Sequence, residues 1–171
     1  MVNMDDILLL KRAEIEEFSA ALGFTQSLFM EDIEVVEEKD NSLRTIEKSK
    51  KVVVFRPTTE KMLRLVLEKS KAEIIVGAEK IHAEDSLHYV RGGWDQILCT
   101  IAAAKGKIMG FSMSDILHPA DRPRLLARMR FNLKLCRKYK VKVLFANFAR
   151  EKMEMRSKKD LEAWRRVLEK G

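Results

Sequence analysis

The stretch from Arg122 to Lys142 contains Arg and Lys throughout and not one Asp or Glu. Arg suits phosphate because its planar guanidinium donates two parallel hydrogen bonds. Wound as a helix over residues 121–140, this segment places Leu125, Leu126, Met129, Leu133 and Cys136 on one apolar face. Arg130, Lys134 and Arg137 flank that face, and Arg124, Arg128 and Lys138 fall on the far side. Phe131 and Leu135 are four residues apart on the basic side. A basic face with an exposed apolar pair reads as a contact surface, covered either by another chain or by a neighbouring helix. A second basic group, Arg150, Lys152, Arg156, Lys158 and Lys159, surrounds a helix start after Ser157. The free backbone N–H groups and dipole of a helix N-terminus attract anions. Asp160, in the first turn, fits capping.

Other chemistry is missing. The three histidines, His82, His88 and His118, make no HxH or HxxxH pair, and a catalytic metal takes at least three protein ligands. No GxGxxG, GxxxxGK[ST] or GxSxG occurs. Cys99 and Cys136 lie inside apolar helical patterns and read as buried, reduced thiols. No catalytic residue, metal ligand or cofactor site of the chain's own is expected.

The elements that must position these residues follow from composition and patterning. With 171 residues, 46% hydrophobic and 35% charged, the chain is expected to form a single domain, 1–171, with a sizeable core. Residues 1–104 hold 14 Lys+Arg and 19 Asp+Glu, a net −5, whereas residues 105–171 hold 19 and 7, a net +12. Such asymmetry points to a polyanion or an acidic partner. Apolar runs are too short to span a membrane, and an acidic N-terminus with reduced thiols predicts a cytoplasmic protein.

Along the chain, helices are expected over 13–22, 61–69, 94–105, 121–140 and 158–170, with a weak helix around 43–46 and Thr58 capping the second. Strands are expected over 51–55, 73–76, 107–111 and 141–147, with one more through 27–36. The run 7–10 is either a strand or the start of the first helix. Residues 77–93, 112–119 and 148–156 read as loops. Five or six strands alternating with helices imply an α/β fold with a mostly parallel sheet, either open and doubly wound or TIM-barrel-like. Ligands gather at the C-terminal strand ends in both, here Arg56, Gly77, Ser112 and Phe148 onward.

Five blocks in order resemble protein component 3 of archaeal ribonuclease P: Gly92-Gly93-Trp94-Asp95-Gln96-Ile97-Leu98, Gly110-Phe111-Ser112, Asp121-Arg122, Lys138-Tyr139-Lys140-Val141, and Ala149-x-Glu-Lys-x-x-x-Arg156-x-x-x-Asp160-Leu161. The resemblance is dense over residues 91–161 and weak before Lys51. It implies a TIM-barrel-like fold of (βα) units, incomplete or open because the chain stops at Gly171 where the family usually continues. It implies a non-catalytic, RNA-binding subunit, with cleavage of the precursor-tRNA 5′ leader performed by the RNA component with Mg²⁺. Implied partners are that RNA, protein component 2 in a heterotetramer, and the other ribonuclease P proteins, with no membrane. The basic positions that the family turns toward RNA map to Arg64, Arg91, Lys105, Lys138 and Arg156; the two basic groups above add Arg122, Lys152 and Lys158. Trp94 departs from the family's usual aliphatic residue or Phe. A divergent barrel phosphoester hydrolase and a basic protein-interaction subunit are the alternative readings.

Overall fold

A computed structural model describes residues 4–117 and 119–170. Met1 to Asn3, His118 and Gly171, all named above, lie outside the described residues. Seven short strands alternate with seven helices: β1 (Asp6–Ile7), α1 (Arg12–Ala21), β2 (Ser27–Leu28), β3 (Ile33–Glu37), α2 (Ser42–Lys48), β4 (Val52–Arg56), α3 (Glu60–Lys69), β5 (Ile74–Val76), α4 (Gln96–Ala104), β6 (Ile108–Ser112), α5 (Met113–Leu117), α6 (Arg122–Lys138), β7 (Lys142–Ala146) and α7 (Lys158–Lys170). β3 to β7 form a parallel sheet in sequence order, and β1 pairs in parallel with β2. The fold is therefore α/β and parallel as expected, but the described ladders form two sheets and not a closed barrel.

Both faces of the large sheet are buried, the usual fate of a parallel sheet. The period of two along each strand divides its residues between two apolar layers. Val53, Phe55, Ile75, Met109, Phe111 and Phe145 pack outward against the helices with Leu63, Leu67, Leu133 and Trp164. Ile7, Ile33, Val54, Ile74, Val76, Ala146 and Phe148 meet on the inner side, joined by half-buried Leu28 and Ile108. All seven strands thus contribute to the inner layer. β1 reaches it along the edge of β7, through Phe148 N–H to the Ile7 carbonyl at 2.7 Å and Leu9 N–H to the Ala149 carbonyl at 2.9 Å.

A buried polar pair fixes that edge. Asp6 accepts from the Asn147 backbone N–H at 2.7 Å and from its side-chain amide at 2.8 Å. Asn147 Oδ1 in turn accepts from the Arg156 N–H at 2.8 Å. Burial pushes the Asp6 carboxyl up to about 6, against the lowering effect of the Asn147 bonds.

Caps set the helix starts. Thr59, one residue beyond the expected Thr58, accepts from Met62 N–H. Asp95 caps α4, so that helix starts at Gln96 and not at Trp94. Asp121 caps α6 with Pro123 in its first turn, and Ser157 with Asp160 forms a reciprocal box at the start of α7. Two expectations fail. The single strand through 27–36 is split into β2 and β3, because Asp32 turns in to accept from the Phe29 N–H and from Arg12. The loop expected at 112–119 contains α5, begun by Ser112 accepting from the Asp115 N–H.

Asp6→Ala leaves the Asn147 backbone N–H and one of its two side-chain N–H groups without an acceptor at a site with no exposure, the other remaining on the Arg156 carbonyl. It should lower stability by about 2–4 kcal/mol, read by urea denaturation, whereas Asp5→Ala on the surface should change it far less.

Candidate nucleic-acid interface

The basic segment α6 does more than present charge. Its buried stripe is Leu125, Arg128, Met129, Asn132, Leu133 and Cys136. Arg128, expected on the solvated far side, lies on the stripe because it is three residues from Leu125 and four from Asn132. Its Nε donates to Asp85 at 2.8 Å, and its Nη1 donates to the carbonyls of Glu79 at 3.0 Å and His82 at 2.6 Å. Asn132 Nδ2 donates to the Gly92 carbonyl at 2.7 Å. Asp85 also accepts from the Arg91 N–H at 2.8 Å. One face of one helix thereby holds the whole connection 77–93. The paired glycines permit the approach: a Cβ at Gly92 would overlap Asn132 Oδ1, and Gly93, at φ +79°, would drive a Cβ into the Ala78 carbonyl.

Held in this way, the connection forms one wall of a groove of about 560 Å³ whose other wall is α6, with the start of α4 at its end. Arg91, Lys138, Phe131 and Leu135, all singled out in the sequence, line it together with Tyr89, Trp94 and Tyr139. Arg91 and Lys138 are exposed and make no ion pair among the described residues. Lys138 Nζ sits 5.5 Å from the Tyr139 ring centroid. Tyr89 is 62% and Phe131 36% exposed, while Leu135 is half-buried against the main core. The neighbouring helices therefore cover Leu135 in part and leave the edge of Phe131 open. Two acids share the groove and are already engaged: Glu60 with His82 at 2.7 Å and Asp95 with the Leu98 N–H at 2.7 Å. Exposed Arg64 stands one turn beyond Glu60, bonded to Glu68 at 2.8 Å and within electrostatic reach of Asp95.

The other expected positions are not brought here. Lys105 ends α4 at its far end, exposed. Arg122 donates to the carbonyls of Ile116 and Leu117, both at 2.8 Å, and so closes the end of α5. Arg156 is half-buried, with Nη1 donating to the carbonyls of Met153 and Met155. Lys158 pairs with Asp5 at 3.0 Å, and Lys152 lies 4.3 Å over the Phe18 ring. Six of the eight basic positions, Arg64 on Glu68 and Lys138 over Tyr139 included, are thus engaged within the chain by hydrogen bonds, ion pairs or a ring. Tyr89 was missed because nothing in the pattern of a charged loop marks it. Arg128 and Asn132 were missed as well, although polar residues at the spacing of Leu125, Met129 and Cys136 are a signal that the sequence carries.

A second concavity, about 520 Å³, opens at the C-terminal ends of the middle strands, between Lys80, Asp115, Arg124, Arg128 and Arg150. Asp115 accepts from Arg56 at 3.1 Å and Lys80 at 2.7 Å. Burial raises its carboxyl, but those two cations outweigh burial and hold it below the usual range. Glu79 lines the floor fully buried, and neither of its oxygens has a partner among the described residues. Burial pushes its carboxyl up to about 7, helped by the Asp115 charge and opposed by Lys80 and Arg56. Asp115 is clamped and Glu79 sealed, while Ser114 on the lining donates to Glu154 at 2.9 Å, which also accepts from the Arg150 N–H at 2.8 Å. Among the described residues no three His, Cys, Asp or Glu side chains converge to hold a metal ion. Cys99 and Cys136 are buried free thiols, and the Cys136 thiol donates to Met109 Sδ at 3.3 Å. No described helix is long and apolar enough to cross a membrane.

No family model and no curated protein matches the sequence. The structure has a match. A chain in a solved structure described as the cryo-EM structure of archaeal ribonuclease P with mature tRNA aligns with this one at a TM-score of 0.69. Sequence identity is 20%, and the alignment covers 95% of this chain and 72% of the other. The likeness at that identity is one of fold, and it extends over nearly every element described above.

Two outcomes test this geometry. Arg128→Ala removes the donor from one buried and two half-buried acceptors, and should cost about 3–5 kcal/mol and speed amide exchange across residues 79–91. Glu79 holds its proton in the folded chain up to about pH 7, against an ordinary value of 4.5, so stability should fall as pH rises through that window. Glu79→Gln should shrink the stability difference between pH 5 and pH 8 by about 1–3 kcal/mol in urea titrations.

Proposed function

We propose that the chain is a non-catalytic, RNA-binding protein subunit of ribonuclease P, of the component 3 type. The observation that carries this reading is the fold match across 95% of the chain to a chain from an archaeal ribonuclease P structure. The five sequence blocks between residues 91 and 161 lead to the same complex by an independent route. The match does not depend on those blocks, since it covers the N-terminal half as well. The (βα) units arranged around an inner layer fed by seven strands agree with a TIM-barrel-like fold of that type.

In this reading the groove beside α6 is the RNA surface, with Arg91 and Lys138 on phosphates and Arg64 at its edge. Affinity comes from phosphate contacts and counterion release, and discrimination comes from RNA shape. Lys105, Arg122, Lys152, Arg156 and Lys158 extend the basic surface, the last four with part of their donor capacity already committed. The RNA component with its Mg²⁺ carries the cleavage, and protein component 2 pairs with this chain.

Reconstitution tests the proposal. Added with the ribonuclease P RNA and the other proteins, the chain should raise cleavage of precursor tRNA, and without RNA it should cut nothing at any divalent metal concentration. Arg91→Ala with Lys138→Ala should flatten the log–log salt dependence of RNA binding by about one unit for each phosphate that is no longer neutralised. Each exposed substitution should change folding stability by less than about 0.5 kcal/mol. Cleavage by the protein alone, or unaltered RNA binding by the double variant, would overturn it.

A further inference from the structure

We propose that the groove between residues 89–95 and α6 is a stacking site for unpaired nucleotides, not a track for duplex backbone. This deepens the RNA-binding reading above and rests on it. Four observations carry it. Tyr89 and Phe131, at 62% and 36% exposure, offer ring surface at the groove. Tyr139 stands further along, its hydroxyl donating to Gln96 at 3.2 Å, which leaves the ring as a wall of the groove. Arg91 and Lys138 supply positive charge with no acidic partner among the described residues. The volume, about 560 Å³, lies within the range of small-ligand sites.

Exposed aromatic faces beside unpaired cations are what single-stranded nucleic acid uses: bases stack on rings, and the backbone follows the charge. A paired helix keeps its bases stacked inside, so ring faces in a recess gain nothing from it. A protein partner would have to bring acids to Arg91 and Lys138 and aliphatic cover to Tyr89. The groove's own acids, Glu60 and Asp95, are occupied by His82 and by the cap of α4. Arg64 lies within electrostatic reach of Asp95, and neither acid is ion-paired with Arg91 or Lys138 among the described residues. The rigid floor matters too. Trp94 is buried at 3% exposure, and Gly92 is pinned to Asn132. The wall that carries Tyr89 is therefore already in place before binding, which limits the entropy lost.

The test uses the full chain with a fluorescein-labelled single-stranded oligoribonucleotide and a blunt RNA duplex of equal length. Tyr89→Ala and Phe131→Ala should each weaken single-strand binding by roughly five-fold or more. The salt slope should stay unchanged, since the cations that meet the phosphates are intact, and duplex binding should not move. Tyr89→Phe and Phe131→Tyr should restore binding, because they keep a ring face. Thermal melting confirms folding, and Tyr89, being the more exposed, gives a reading even if Phe131→Ala is destabilised. If both alanine variants bind the single strand like the parent while Arg91→Ala weakens it, stacking is wrong and RNA binding stands. If the parent binds neither RNA, the RNA reading fails with it. If the alanine variants keep RNA affinity but lose a protein subunit during reconstitution, the groove is a protein interface and the proposal is overturned.

Discussion

A single buried guanidinium organises the face of the molecule where function is expected. Arg128 is 3% exposed, and its donors bind a carboxylate and two carbonyls that belong to one connection between β5 and α4. Removing a charge from water costs several kcal/mol, which is recovered only when geometry and hydrogen bonding are good. Here Asp85 supplies the opposite charge, and the Glu79 and His82 carbonyls supply dipoles. The residues between them gain a defined course that their composition alone would not provide. Both concavities described above share this support: one lies between the fastened connection and α6, and the other against the Arg128 side chain itself.

The frame beneath depends on long-range pairing. Asp6 and Asn147 are separated by 141 positions and meet in a site with no exposure. Their bonds place β1 on the outer edge of β7 and bring Ile7 into the inner apolar layer. With the strands parallel and both faces covered, the free C-terminal strand ends all face one side of the molecule. Arg56, Lys80 and Asp115 gather there because they follow β4, β5 and β6. Two cations against one carboxylate hold Asp115 ionised and tie the three strand ends together.

The charge asymmetry of the sequence is partly resolved within the fold. Lys158 meets Asp5, Arg128 meets Asp85, and Arg56 meets Asp115, so acids of one half reach bases of the other. Only the Lys158–Asp5 pair is exposed enough to add little stability, but all three decide which cations remain available. Arg91, Lys138 and Arg150 are exposed outside this set. Two of them flank the aromatic groove, so local geometry and residual charge converge on the same place.

Continuous apolar runs such as Val52 to Phe55 and Ile74 to Val76 determined the central strands, and caps such as Asp121 and Ser157 determined the helix starts. These are local effects, carried by neighbouring residues and readable without the fold. The basic character of α6 and the choice of Phe131 came from residue type and spacing alone, whereas Arg91 and Lys138 were marked by the resemblance of the blocks that contain them. Tertiary structure decided the rest. Two-residue strands β1 and β2 carry too little local pattern to be seen, and exist because Asp6 and Asp32 find distant partners. Arg156, Lys158 and Arg122 are as basic in sequence as Arg91, but nearby carbonyls and a carboxylate already hold them. Whether a cation is free depends on what lies across space from its side chain, and that is a property of the packed chain, not of its order.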